Sequence, residues 1–162
     1  MDKLPILKNV HVSIADGTTT NTPPTEGTAW TELIGCVSKL PNFFPAREKK
    51  DYKPLDRDQA GQVPGQRPAI DGNITVYPND DFWTAYVKMI TSQTDPAKGS
   101  CFWLKVVYSE EADRTVQGRM MIDDHLPTSE GELGDAIAID LGITNVDEMV
   151  DSRDNTSSGS GT

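Results

Sequence analysis

Asp123, Asp124 and His125 stand side by side, two carboxylates next to an imidazole, and they are the nearest approach in this chain to a metal or proton-transfer centre. Adjacent residues on a strand point to opposite faces, so the trio would need ligands brought from elsewhere. No HxxxH or CxxC spacing supplies them. Glu110 with Glu111, and Glu130 with Glu132, are paired carboxylates of the kind that perform general acid–base work. They lie in turn-like segments rich in glycine or charge, where a solvated face is the usual meaning. The other histidine, His11, takes the outward position of a strand pattern and reads as a solvated imidazole. No serine sits in a GxSxG elbow, and neither Cys36 nor Cys101 has a histidine placed for pairing. No glycine pattern matches a phosphate loop or a dinucleotide fingerprint. The expectation is a chain with no catalytic residue, no metal and no cofactor.

The elements around these residues are mostly strands. Val10, Val12 and Ile14 alternate with polar neighbours, the period of a half-buried strand. A Thr/Pro-rich stretch over 17–28, with Pro23 and Pro24, can be neither helix nor central strand and is expected as a loop or extended arm. A second strand region covers 30–40, with Ile34, Cys36 and Val37 as core candidates and Gly35 as a bulge or close approach. Residues 41–72 change character: five prolines punctuate dense charge of both signs, so a long loop is expected there. Its apolar residues, Phe43, Phe44, Tyr52 and Leu55, make it a loop that docks on something. Asn73 opens a short strand that Pro78 ends, and Asn79 or Asp80 then caps a helix. Phe82, Tyr86 and Ile90 form one stripe of that helix, flanked by Trp83 and Val87, and all five are expected to pack on a sheet. Residues 102–108 are the strongest strand signal, aromatic and β-branched. A returning strand over 115–123 places Val116, Met120 and Ile122 on one face. Ile137, Ile139, Leu141 and Ile143 alternate as the last strand, and 151–162 reads as a flexible tail.

Together these give one mainly β domain over 1–150, with an N-terminal strand and arm over 1–29. Short links between successive strands imply an antiparallel β-sandwich or open barrel carrying one packed α-helix and a long loop. The chain is 162 residues with a formal net charge of -10 and a pI near 4.5. That balance argues against a nucleic-acid reader, which needs clustered Lys and Arg, yet an acidic wall suits a protein past which a polyanion moves freely. No apolar run approaches the roughly 20 residues of a membrane span. Met1 to Val10 lacks the apolar stretch of a secretory signal, so a protein folded in a cytoplasm, with buried reduced thiols at Cys36 and Cys101, is expected.

From Trp30 onward the chain resembles the major tail (tail tube) proteins of long-tailed bacteriophages. Four features carry the resemblance in order. Trp30-Thr31-Glu32-Leu33-Ile34-Gly35-Cys36-Val37 is similar to the opening that follows the family's N-terminal strand. The charged loop ending in Val63-Pro64-Gly65 resembles its long excursion between two strands. Residues 71–77 followed by Asp80-Asp81-Phe82 look like its strand-then-helix step, and 102–107, Gly118-Arg119 and 136–141 are similar to its closing strands.

The resemblance implies a virion structural protein that self-assembles into stacked, hexameric rings. These form a tail tube that conducts the genome into the host, in company with terminator, tape-measure and baseplate proteins. Viral DNA would pass through the lumen without specific binding. Assembly in the host cytoplasm, a place in the virion tail and no membrane partner follow. The long loop would reach the neighbouring ring through Phe43, Phe44, Tyr52 and Leu55, with Arg47, Lys49, Lys50 and Arg57 meeting acidic patches there. The lumen is expected to be net negative, lined by carboxylates from the half after Ser109. Other readings are a related tube or ring component (a secretion-system tube or a tail completion protein) and a small enzyme or binding module with an unfamiliar site.

Overall fold

A computed structural model describes residues 9–25, 27–53, 55–56, 59, 61–123, 125–128, 131–134 and 137–153. The Val10/Val12/Ile14 alternation becomes β1, Val10–Asp16. The 30–40 region is not one strand but two short ones, β2 (Trp30–Glu32) and β3 (Val37–Lys39). Gly35 sits in the turn between them with φ +68, a left-handed conformation that favours glycine, so it makes a corner rather than a bulge. Ile34, expected in the core, is 61% exposed at that corner, while Leu33 and Cys36 on either side are buried.

The strands that follow are β4 (Lys49–Tyr52), β5 (Gly61–Pro64), β6 (Gly72–Val76), β7 (Phe102–Tyr108), β8 (Arg114–Ile122), β9 (Ile139–Asn145) and β10 (Val150–Asp151). Among the described residues they form one antiparallel sheet in the order β2-β1-β7-β8-β9-β6-β3, with β10 also on β8, and a separate β4-β5 hairpin. The sheet curls into a half-barrel, and β9 is where it bends. Its first part, Ile139 to Ile143, pairs with β6, while Ile143 to Asn145 pair with β8. The chain then turns, and β10 pairs along the same edge of β8 at Gln117 and Val116. The two edge strands, β2 and β3, are joined by the 33–36 turn, which brings the open ends of the sheet together.

Helix α1, Asp80–Thr94, starts where Pro78 ends β6. Asn79 caps it by accepting from the Phe82 amide at 2.9 Å, and Asp80 and Asp81 occupy the first turn. The helix lies across β1, β2, β7 and β8, with Phe82, Ala85, Met89 and Ser92 buried. Tyr86 and Ile90 are partly buried against the same core. Trp83 and Val87, expected to pack on the sheet, instead face outward at 45% and 63% exposure. Small residues set this rotation: Ala85 and Ser92 let the helix approach closely, and the Ser92 hydroxyl reaches Asp16 at 3.1 Å. Gln93 fixes the other end, its side-chain amide exchanging two 2.9 Å hydrogen bonds with the backbone of Ile122.

Candidate assembly surfaces

Residues 41–72, expected as a loop, contain the β4-β5 hairpin, registered Lys49 with Pro64 through Tyr52 with Gly61. Among the described residues this hairpin pairs with no other strand. Gln62 donates to Asp51 at 2.9 Å across it. Residues opposite one another share a face, so Lys50, Tyr52 and Val63 lie together, the Tyr52 ring covering Gly61. Tyr52 and Val63 are 45% and 44% exposed, and Leu55 at the tip is fully exposed. Lys49 and Lys50 are solvated. Arg57 lies outside the described residues.

The two phenylalanines expected to reach a neighbouring ring pack within the subunit. Phe43 is 4% exposed and belongs to the subunit's own core. Phe44 is partly buried beneath the Arg67 guanidinium, 5.8 Å from the ring centroid. Arg67 also donates to the Pro45 carbonyl at 3.0 Å. Arg47 spans from the Gly65 carbonyl, 3.4 Å, to the Glu148 carboxylate, 3.9 Å. These residues border a groove of about 350 Å³ with Ile70 and Met149, and they hold the hairpin's base on the body. Arg67 and Val63 were missed from sequence. The run of alternating residues before Gly65 was the available signal for Val63, but prolines on both sides concealed it.

A second surface is the sheet face turned away from α1. His11, Ser13, Glu32, Lys105, Thr115 and Gln117 share it by register and alternation. His11 meets Glu32 at 2.6 Å, and the Lys105 ammonium lies 4.3 Å from the Trp30 ring centroid. One end of this face is covered by the Thr/Pro stretch. Thr18 accepts from Trp103 Nε1 at 3.0 Å through its hydroxyl and from Arg119 at 2.9 Å through its carbonyl. Pro24 accepts from Trp30 Nε1 at 3.3 Å. The face is polar, and Glu110 and Glu111 lie in the 3-10 turn that follows β7.

The chain's end is also built in. Asp151, expected to begin a flexible tail, is a 5%-exposed strand residue bound to Arg114. Its other oxygen accepts from the Arg153 amide at 3.0 Å. The Arg114 guanidinium holds the Asp151 carboxyl below the ordinary carboxylate range.

The residues first considered for chemistry are dispersed. Asp124 and Glu130 lie outside the described residues, and His125 is exposed. Among the described residues no three His, Cys, Asp or Glu side chains gather as a metal site. Cys36 and Cys101 are buried and unbonded to each other. Burial pushes both thiols up; the Asp81 charge adds to this at Cys36, and Arg119 opposes it at Cys101. No helix of the described residues is long and apolar enough to cross a membrane.

No protein-family model and no curated protein matches the sequence. Solved structures do match in fold. One is a chain from the PVC sheath/tube terminator, in the extended state, of an extracellular contractile injection system. It aligns with a TM-score of 0.53 at 15% identity over 93% of this chain and 97% of its own. Another comes from the sheath-tube complex of the same kind of system, also extended. It aligns with a TM-score of 0.50 at 13% identity, over 92% of this chain and 90% of that one. The half-barrel with one helix is therefore a fold found in contractile injection systems.

Proposed function

We propose that this chain is a structural subunit of a phage tail or phage-like injection particle, self-assembling into stacked rings that form a tube. The observation that carries the reading is the β4-β5 hairpin. A lone two-stranded hairpin is marginal in water, yet this one stands off the body while exposing Tyr52, Leu55 and Val63 beside Lys49 and Lys50. Docking on the next ring would give those residues the contacts that the subunit itself does not provide. Aromatic and aliphatic anchors would carry the affinity and the lysines the register. Head-to-tail contacts of this kind build open stacks. The fold shared with chains of a contractile injection system supports the reading. Hexameric closure, passage of a genome and company with terminator, tape-measure and baseplate proteins belong to the same proposal.

The open sheet face is the proposed channel lining. Glu32 and Lys105 oppose each other in sign on its β1–β2–β7 part, and register places the exposed Asp140 on the same face of β9. A second reading, an end cap on a tube, is favoured by one observation: the terminator-structure chain is matched over 97% of its length. Electron microscopy of the purified protein across a concentration series separates the two. Long hollow tubes are expected. Rings that never stack would support the cap, and a monomer at every concentration would refute both readings.

A further inference from the structure

With Ala85 and Ser92 turned to the sheet, α1 carries an apolar patch on its outer side. Trp83 and Val87 are exposed there, on one stripe with Asp80 by their i, i+3, i+7 spacing. Ile34 and Tyr77, both exposed, stand at the start of the helix. Asn79 fixes that corner: its side-chain amide donates to the Ile34 carbonyl at 2.9 Å, and its carbonyl accepts from the Trp83 amide at 3.0 Å. The Trp83 ring is braced edge-on by Phe82 at 5.2 Å and Tyr86 at 6.1 Å, so it is already set in place. Asp80 and Asp81 are exposed beside it. The helix's one basic residue, Lys88, is engaged elsewhere, with the Ala29 carbonyl at 3.1 Å and the Thr31 hydroxyl at 3.2 Å. The patch is apolar with an acidic rim, the make-up of an interaction surface.

The β4-β5 hairpin is its complement. Lys50, Tyr52 and Val63 share one hairpin face, whereas Asp51, the one acid in either strand, falls on the other, where Gln62 donates to it at 2.9 Å. The apolar face therefore carries a lysine and no strand carboxylate. Tyr52, Val63, Trp83 and Val87 are all exposed in the same chain, so the two surfaces do not cover each other within a subunit. Resting on the ring-stacking reading above, we propose that the outer face of α1 is the receiving site for the hairpin of a second copy. Tyr52, Leu55 and Val63 pack on Trp83 and Val87, and Lys50 meets Asp80 and Asp81. The aromatic pair supplies the anchor and the opposite charges set the register. Because the two patches differ, each contact leaves one free hairpin and one free helix face, which propagates a stack instead of closing a dimer.

Mixing two differently tagged full-length copies tests this, one carrying Val63→Cys and the other Val87→Cys. Cys36 and Cys101 stay in place because both are buried. A short bismaleimide is expected to join the two variants to each other, and not to join Val63→Cys to a copy carrying Gln117→Cys on the open sheet face. Val63→Cys copies joined mainly to one another, to Gln117→Cys or to nothing would overturn the proposal. Charge exchange is the second arm, since these side chains are solvated and their replacement leaves the core intact. Lys50→Glu alone, or Asp80→Lys with Asp81→Lys, should raise the concentration at which stacks form about threefold or more. Combining all three should restore it, and losses that simply add would equally overturn the proposal. Stacks seen by electron microscopy without a link between positions 63 and 87 would remove this receiving site and leave the ring-stacking reading standing. Neither link nor stacks would remove both.

Discussion

Arg114 donates from both Nε, at 2.8 Å, and Nη2, at 2.5 Å, to a single oxygen of Asp151, tying the last strand to the start of β8. Asp151 is nearly buried while Arg114 keeps 28% of its side chain exposed, so the pair is strong but partly solvated. Asp151→Ala should cost about 1–3 kcal/mol at neutral pH, mostly from the two hydrogen bonds the guanidinium loses, since only the longer Glu111 pair at 3.6 Å remains. The carboxyl's folded pKa is depressed, so its stabilisation is complete above the unfolded value and is lost as pH falls through the folded one. Urea titrations should therefore show a wild-type advantage over Asp151→Asn that persists at mildly acidic pH and vanishes only in strong acid. A gap that does not change with pH would point to packing instead of charge.

Phe82 and Trp83 are neighbours in sequence and opposite in role. Phe82 is fully buried, and its ring lies 5.2 Å from that of half-exposed Trp83 in an edge arrangement. Phe82→Ala should destabilise the monomer by about 3–5 kcal/mol. Trp83→Ala should cost about 1 kcal/mol or less. Equal losses in chemical denaturation would mean that the helix sits rotated from the position described.

The hairpin and its base should separate in the same way. Tyr52→Ala with Leu55→Asp is expected to leave the melting temperature of the monomer within a few degrees of wild type while abolishing stacks under the microscope. Phe43→Ala should lower stability by about 3–5 kcal/mol, because it empties a core position. Normal tubes from the double variant would remove the hairpin from the assembly contact.

Gly17 lies against the backbone of Cys101: a Cβ built there falls 2.7 Å from the Cys101 carbonyl carbon. Backbone on both sides cannot yield as a flexible side chain would, so Gly17→Ala should destabilise by about 1–3 kcal/mol. It should also loosen the 17–25 cover over Trp103, visible as a red shift in tryptophan emission. An unshifted spectrum with full stability would show that the loop can move aside without cost.

Local periodicity by itself determined most of the scaffold. The alternation of Val10, Val12 and Ile14, the apolar run at 102–108 and the Val116, Met120, Ile122 face all become strands of one antiparallel sheet. Asn79 ahead of two aspartates marked the helix start. These signals need only near neighbours, because strand alternation and capping are short-range physics. The tertiary structure decided what depends on distant partners. Which side of α1 is buried depends on the sheet beneath Ala85 and Ser92, so Tyr86 and Ile90 alone could not locate it. The corner at β9 exists because Ile143 pairs with Gly72 and Ile122 at once. Phe43 and Tyr52 look alike in sequence, two aromatics in one charged, proline-rich segment. Their roles differ because one falls over the core and the other on a hairpin held clear of it. Asp151 reads as the start of a polar tail until Arg114, 37 residues away, is brought beside it.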